Sequence, residues 1–130
     1  MTDLELVELA IEARELSYSP YSHFAVGAVV LCKDGTVYKG ANVENATYGA
    51  TICAERNAIN KAILAGEKEF EAIAIMSSSN DYTFPCGICR QALSEFVDVD
   101  NFYVILPKTD TNRKILDFKV LTLSVIVVTS

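Results

Sequence analysis

Residues 51–56 read TICAER and residues 84–90 read FPCGICR, and the rest of the chain can be organised around these two stretches. Each stretch has the pattern of a helix start, and together they carry three cysteines. Cys86 and Cys89 are three positions apart, so on a helix their sulfurs lie on one face within reach of a single ion. Cys53 stands at the start of the other helix. The three cysteines are therefore candidate ligands of one metal ion.

The number of protein ligands distinguishes a catalytic zinc from a structural one. By itself, a C-x-x-C pair is compatible with a redox pair, with half of a structural site, or with chance. A structural zinc requires a fourth protein ligand, and the sequence offers two candidates, Cys32 and His23. Cys32 ends an apolar strand, where a thiol is typical of a protein core. His23, the single histidine, has the setting of a surface or packing residue. Three ligands without a fourth predict an open position for water.

Charged residues directly beside the cysteines suggest the chemistry of this site. Glu55 lies two positions after Cys53, where its carboxylate could move protons between water and a substrate. The alternative is a first-turn glutamate that merely stabilises the helix dipole. Arg56 and Arg90 each follow a site residue and could donate hydrogen bonds to the thiolates. A solvent-facing side chain is the alternative for both arginines, and for Arg90 neither possibility is favoured.

The remaining segments alternate between helix and strand patterns. Thr2 and Glu5 have the spacing of a capping box, and Asp34-Gly35 is typical of a hairpin turn. The alternation predicts an α/β fold, a three-layer α/β/α sandwich with a mixed five-stranded sheet, as a single domain over residues 1–130. The predicted elements are helices over residues 2–18, 53–65 and 85–96 and strands over residues 25–32, 36–41, 72–76, 102–106 and 120–128.

Composition excludes several classes of partner. The chain has 130 residues and a net charge of −6, which argues against binding to nucleic acid or to a membrane surface. No run of residues has the length and apolarity of a membrane span, and the acidic N-terminus has no signal-peptide pattern. Four cysteines in such a chain are expected to be metal ligands or core thiols in the cytoplasm.

Several motifs in the same order resemble one enzyme family. A ligand two residues before a glutamate, followed by P-C-x-x-C, is the pattern of the zinc-dependent nucleobase deaminases. The chain resembles the small cytidine deaminases, homotetrameric nucleoside enzymes of pyrimidine salvage, over roughly residues 4–123. The motifs that carry the resemblance are PYSHFAVGA at residues 20–28, GANVENA at 40–46, CAER at 53–56 and PCGICRQ at 85–91.

The resemblance implies a role for each site residue. One zinc ion per subunit would be held by Cys53, Cys86 and Cys89, with Glu55 as the proton shuttle. The nucleoside would be bound by Phe24, which packs against it, by Asn42 and Glu44, which hold the ribose hydroxyls, and by the Ala54 backbone, which helps to recognise the base. Ordinary turn chemistry after a strand is the alternative for Asn42 and Glu44. Tyr48 would lie near the active site of a neighbouring subunit.

The implied reaction is hydrolytic deamination of cytidine and 2′-deoxycytidine to the uridines with release of ammonia. One alternative is a zinc deaminase for another aminated nucleoside, a nucleoside antibiotic, a nucleotide or a base in RNA. A nucleotide is disfavoured by Glu44 near the expected sugar, and RNA by the net charge of −6. The non-enzymatic alternative, a structural zinc domain, would require a fourth ligand and an idle Glu55.

The chain departs from this family at its C-terminus. The family usually continues with a Glu-Leu-Leu-Pro segment and a tail whose aromatic side chain reaches an adjacent active site, whereas here no aromatic residue follows Phe118. The apolar residues 125–128 predict an extension of the last strand along the sheet. Loss of the aromatic predicts weaker binding of the substrate and a looser oligomer.

Overall fold

The computed structural model of the chain describes residues 1–129, and it describes the side chains of all of these except Tyr48 and residues 127–129. The prediction that Tyr48 lies near a neighbouring subunit's site concerns its side chain, which is outside the described part of the structure. In chain order the elements are α1 (Asp3–Arg14), β1 (Val26–Cys32), β2 (Val37–Ala41), a 3-10 turn (Tyr48–Ala50), α2 (Ala54–Leu64), β3 (Phe70–Ser77), α3 (Gly87–Phe96), β4 (Tyr103–Thr109), β5 (Ile115–Thr122) and α4 (Leu123–Thr129).

The five strands form one sheet in the order β2-β1-β3-β4-β5. The β1 strand pairs antiparallel with both β2 and β3, β3 pairs parallel with β4, and β4 pairs antiparallel with β5. The parallel pair is joined through α3, as a parallel connection requires a crossover. The predicted mixed five-stranded sheet is confirmed.

Helices cover both faces of the sheet. Along β1, Val29 belongs to the core cluster that contains α1, whereas Ala28 and Val30 belong to the cluster that contains α2 and α3. This alternation follows from the two-residue period of a strand. The predicted three-layer α/β/α arrangement is confirmed, and both helices that carry the site cysteines lie on the same side of the sheet.

The structure confirms the predicted capping box of the first helix and the predicted turn of the first hairpin. The Thr2 hydroxyl oxygen accepts from Glu5 N at 3.1 Å, and Glu5 Oε1 accepts from Thr2 N at 3.0 Å, which completes the capping box. In the hairpin, Gly35 has φ +91°, and Asp34 Oδ1 accepts from Thr36 N at 2.9 Å. The positive φ explains why glycine stands at this turn.

Two glycines allow the helices to lie directly on the sheet. A Cβ atom on Gly27 would lie 2.3 Å from Arg14 N in α1, and one on Gly40 would lie 2.4 Å from Ala58 N in α2. Real Cβ atoms do not approach a backbone atom so closely. The position of α2, which begins directly after Cys53, therefore depends on the missing side chain of Gly40.

We expect Gly40→Ala to reduce the free energy of unfolding by about 3 kcal/mol, because the added methyl group must push the α2 backbone away from β2. Urea denaturation of the zinc-loaded protein would measure the loss. Gly49→Ala is the matched control, since a Cβ there meets no atom within 4 Å. Equal stability of the two variants would contradict the close contact between α2 and β2.

Two helix boundaries differ from the sequence prediction for identifiable reasons. The first helix ends at Arg14 instead of residue 18, because Tyr18 N donates to Asn42 O at 2.9 Å and Tyr18 forms a bridge with Val43. The third helix begins at Gly87 instead of residue 85, because Cys86 is its N-cap with extended backbone. The local sequence determines the ends of a helix less well than its interior, since tertiary partners compete for the N–H groups there.

The prediction of a final strand over residues 120–128 is wrong. The strand β5 occupies Ile115–Thr122, and α4 follows over Leu123–Thr129. Leu123 and Ile126 are buried in the same cluster as Leu93 of α3. Their three-residue spacing places both on one helical face, whereas a strand would point them to opposite sides. The tail therefore leaves the sheet and packs beside α3, and it does not extend along the sheet.

No helix within residues 1–129 combines the length and the apolarity needed to cross a lipid bilayer.

Candidate active site

The three predicted zinc ligands meet where the N-termini of α2 and α3 come together. Cys53 is the N-cap of α2, Cys86 is the N-cap of α3, and Cys89 lies in the first turn of α3. Neither N-cap side chain makes a capping hydrogen bond. Backbone N–H groups at helix N-termini favour negative charge, so both helix starts stabilise thiolates.

The sulfur atoms are spaced as zinc ligands require. Cys53 Sγ lies 3.7 Å from Cys86 Sγ, and Cys86 Sγ lies 3.2 Å from Cys89 Sγ. All three sulfurs lie within 4.8 Å of one another. Tetrahedral zinc with Zn–S bonds of about 2.3 Å holds its sulfurs roughly 3.8 Å apart. The donor set therefore fits a zinc ion.

Neither candidate for a fourth ligand, Cys32 or His23, lies at this site. Cys32 is fully buried in β1 and lies near Asp34 and Glu67 instead. His23 lies in the loop before β1 with φ +58°. Within the described residues, no further histidine, cysteine, aspartate or glutamate joins the three sulfurs. Three protein ligands are the number found in catalytic zinc sites, which keep one position open.

The environment of the thiols favours ionisation at Cys53. A hydrogen bond with Cys89 is the largest cause that lowers the pKa of the Cys53 thiol, to about 5, and Arg56 acts in the same direction. The same hydrogen bond and burial raise the pKa of Cys89. A bound zinc ion would supply the positive charge that the remaining thiols lack.

Glu55 is buried beside the cysteines, with 5% of its surface exposed. Burial raises the pKa of its carboxyl group to about 7, and the negative charge of Cys53 acts in the same direction. Both Cys53 and Cys89 are close enough to influence this carboxyl group. Nevertheless, Glu55 is not part of the cluster of ligand atoms. A buried carboxyl beside an open metal position is suited to proton transfer.

Of the two arginines, Arg56 is the one that the structure places at the thiols. Arg56 Nη2 donates to Thr51 O at 3.1 Å and lies 4.0 Å from Cys53 Sγ. Its buried Nε has no hydrogen-bond partner among the described residues. No hydrogen bond joins the Arg90 side chain to a thiol within the part of the chain that the structure describes, so only Arg56 acts as a donor here.

A cavity of about 750 Å³ opens above the cysteines. Its lining includes Cys53, Cys86, Arg56 and Glu44, and Ile88 contributes apolar surface. The volume is in the range of small-molecule sites. The cavity therefore has room for a nucleoside-sized ligand between the thiols and Glu44.

Glu44 is held in place by the loop before β1. Its Oε1 accepts from Tyr21 N at 3.0 Å and from Ser22 N at 3.1 Å, and its Oε2 accepts from the Ser22 hydroxyl. The hydrogen bonds from Ser22 lower the pKa of the Glu44 carboxyl. Glu44 therefore faces the cavity as a fixed carboxylate.

The other predicted substrate-binding residues are close to the site but do not line this cavity. Asn42 is buried, with Oδ1 accepting from Val26 N at 2.9 Å and Nδ2 donating to Phe24 O at 2.8 Å. One amide hydrogen of Asn42 remains for another acceptor. Phe24 is 39% exposed, and Ala54 is the first residue of α2, whose backbone N–H has no partner inside the helix.

Comparison with known proteins identifies the family. A sequence model described as "Cytidine and deoxycytidylate deaminase zinc-binding region" matches residues 1–106, more than half of the chain. The chain belongs to this deaminase family. The three thiols described above lie within that match, so the deaminase carries the cysteine cluster of a zinc-binding region.

Similar proteins support the same assignment. Over 95 residues, 73% of the chain, the deaminase is 50% identical to a cytidine deaminase of Halalkalibacterium halodurans, of which the match covers 72%. A crystal structure of cytidine deaminase from Burkholderia pseudomallei superposes with a TM-score of 0.88 at 40% identity, and the match covers 97% of this chain and 96% of that one. A cytidine deaminase from Mycobacterium tuberculosis superposes with a TM-score of 0.79 at 32% identity over 97% and 94% of the two chains.

Sequence reasoning missed the residues that orient Glu44 and Asn42. Ser22 and the Tyr21 backbone hold Glu44, and the Ser17 hydroxyl donates to Asn42 Oδ1. Ser22 lies within the PYSHFAVGA motif of the deaminase, and this motif was the only available signal. The motif does not indicate which side chain Ser22 would contact.

Proposed function

We propose that the protein is a zinc-dependent deaminase of cytidine and 2′-deoxycytidine, which releases the corresponding uridine and ammonia. The observation that carries this proposal is the convergence of three thiols beside the buried Glu55, next to a cavity that Cys53, Cys86 and Glu44 line. Membership of the deaminase family supports it, as does 50% identity to a cytidine deaminase.

One zinc ion would be held by Cys53, Cys86 and Cys89. When bound, zinc supplies a water molecule of lowered pKa that can attack an electron-poor ring carbon. The three thiolates leave a net negative charge on such a site. Arg56, 4.0 Å from Cys53 Sγ, and the two helix N-termini offset part of that charge.

Glu55 is the proton carrier in this mechanism. Its carboxylate takes a proton from the attacking water and delivers it to the ring nitrogen next to the carbon under attack. It then takes the remaining proton of the new hydroxyl group and gives it to the amino group, which leaves as ammonia while the carbonyl forms. Burial supports this role, because a pKa near neutrality allows the carboxyl group both to accept and to release a proton.

The nucleoside would lie with its base towards the thiols and its sugar towards Glu44. The carboxylate of Glu44 and the remaining amide hydrogen of Asn42 are suited to sugar hydroxyls. Phe24 would pack against the nucleoside, and the Ala54 backbone would help to recognise the base. A 5′-phosphate would place negative charge near Glu44, so nucleotides are expected to be poor substrates.

We expect Glu44→Ala to lower kcat/KM for cytidine. The loss should correspond to about 1–3 kcal/mol of transition-state stabilisation, which is the cost of leaving a polar group unpaired. Free cytosine lacks the sugar, so the low activity of the enzyme on cytosine should not fall further in the variant. An absorbance assay on both compounds would measure the change, with the exposed Glu95→Ala as the control. Equal activity of the parent protein on cytosine and cytidine would contradict a sugar-binding Glu44.

The oligomer and the compartment belong to the same proposal. We infer a single domain over residues 1–130 that assembles as a homotetramer in the cytoplasm. Exposed apolar side chains around the cavity, among them Tyr21 and Ile88, support burial against neighbouring subunits. Sedimentation analysis would show a fourfold chain mass, whereas a monomer at micromolar concentration would contradict the tetramer.

The decisive test of the function is an assay of the purified protein on cytidine, deoxycytidine, cytidine monophosphate and cytosine, with bound zinc quantified alongside. Deamination of the two nucleosides with about one zinc per chain is expected. If the zinc-loaded protein acts only on another aminated nucleoside, that compound replaces cytidine as the proposed substrate. If it acts on no nucleoside, the result favours a structural zinc domain.

A further inference from the structure

A second cavity, of about 260 Å³, lies at the end of α1 and shares no residue with the active-site cavity. It is bounded by the end of α1, by the loop after β3 and by the turn before β5. We call it the α1-end cavity. Its polar lining residues are Arg14, Glu15, Ser78, Asn80, Thr111 and Arg113.

Arg14 is the feature of the α1-end cavity that calls for a ligand. Arg14 is only 6% exposed, and its Nη1 donates to Ser77 O at 2.6 Å. Among the described residues, no carboxylate lies within ion-pair distance of this guanidinium. Burial is the largest cause that lowers the pKa of Arg14, the positive charge of Arg113 acts in the same direction, and the negative charge of Glu15 acts against both. A buried cation with a second cation nearby is stabilised by an anion between them.

The polar groups around Arg14 are mainly donors. Ser78 Oγ accepts from Ala25 N at 3.1 Å, which leaves its hydroxyl hydrogen for another acceptor. Asn80 Oδ1 accepts from the Thr109 hydroxyl at 3.0 Å, which leaves both hydrogens on Nδ2.

The acceptors nearby are already occupied. The Glu15 carboxylate is paired with Arg113. The carbonyl groups at the end of α1 accept from the N–H groups of residues 15–17. Two guanidinium groups, a hydroxyl and an amide therefore line the same space as the Glu15 carboxylate, so donors outnumber acceptors there.

We propose that the α1-end cavity binds a phosphate group, either as inorganic phosphate or as the end of a phosphate monoester. Guanidinium groups match the geometry of phosphate oxygens, and hydroxyl and amide donors complete the tetrahedral set. The volume is below the range of sites that enclose a whole drug-sized molecule but is sufficient for a phosphate group, so the larger organic part of a monoester extends into solvent. This proposal is independent of the deaminase activity.

The test is calorimetric titration of the zinc-loaded protein with inorganic phosphate, and separately with glycerol 3-phosphate, at constant ionic strength set with chloride. One saturable site per chain is expected. Binding of phosphate alone would identify the free ion as the ligand, whereas binding of both would show that a monoester is accepted. Absence of saturable binding of either compound would overturn the proposal.

Two variants assign the binding to this cavity. Asn80→Asp keeps the acceptor for Thr109 and tolerates the φ of +67° at this position, but it replaces the free amide with a negative charge. Arg113→Gln removes one cation and leaves Glu15 unpaired. We expect each variant to weaken phosphate binding at least tenfold.

The matched controls change the same charges elsewhere on the surface. Asn60→Asp adds one negative charge on the exposed side of α2, and Lys39→Gln removes a cation that pairs with Glu12 of α1 at 3.2 Å. Both should bind phosphate within threefold of the parent protein. Unchanged binding in Asn80→Asp would place the phosphate elsewhere, for example at the zinc site, and would overturn the proposal.

Discussion

Glu55→Gln is expected to reduce the turnover of cytidine by about 10²–10⁴, the range typical of losing a general acid–base group. Glutamine has nearly the same shape as glutamate, so the buried pocket around residue 55 should remain filled. The amide cannot take the proton of the attacking water, and it cannot deliver a proton to the ring or to ammonia. Steady-state assays would show the loss in kcat.

Zinc content separates this interpretation from a structural role of Glu55. Because Glu55 is outside the cluster of ligand atoms, the variant should retain the zinc of the parent protein. Glu95→Gln makes the same chemical change at an exposed position of α3 and should leave kcat unchanged. Near-normal turnover of Glu55→Gln would contradict the proposed mechanism, and loss of zinc from it would make Glu55 a ligand.

The second large effect is expected for Cys89→Ala, which should remove nearly all bound zinc and with it the activity. Two thiolates cannot hold the ion as three do, and the metal supplies the nucleophile. Metal binding is coupled to folding, so the midpoint of thermal unfolding should fall as well. Zinc per chain, measured after denaturation with a colorimetric chelator, is a readout that does not depend on activity.

Cys32→Ala is the matched control for this prediction. Cys32 and Cys89 are both thiols of fully buried residues, but Cys32 lies in β1 away from the three sulfurs. Removing its sulfur should leave about one zinc per chain and cost roughly 1 kcal/mol or less of stability through a small cavity. Full zinc in Cys89→Ala, or equal zinc loss in both variants, would contradict the assignment of Cys53, Cys86 and Cys89 as the ligand set.

The two corrected helix boundaries and the wrong final strand have identifiable physical causes. For the first helix and the final strand, a distant partner decides where the element ends, whereas the third helix starts late because Cys86 is an extended N-cap. Tyr18 leaves the first helix for a hydrogen bond with Asn42, and Leu123 N donates to Phe102 O at the start of α4. The apolar residues after Thr122 have strand propensity, yet burial against α3 outweighs it, because propensity is a weak preference.

Some features of this protein were determined by the sequence alone, because their interaction partners lie within a few residues. The Thr2–Glu5 capping box, the turn at Gly35 and the proximity of Cys86 and Cys89 at the start of α3 are of this kind. The residue types alone also indicate metal binding by three thiols and proton transfer by a carboxylate.

Other features were decided only by the tertiary structure. The 3.7 Å approach of Cys53 to Cys86, the hydrogen bonds that orient Glu44 and the turn of α4 away from the sheet join segments that are far apart in the chain. The cavity around Arg14 is formed in the same way, from α1 and two distant loops. The reason is that such contacts depend on the order of strands and on the helices docked at Gly27 and Gly40, and neither is encoded in any single stretch of sequence.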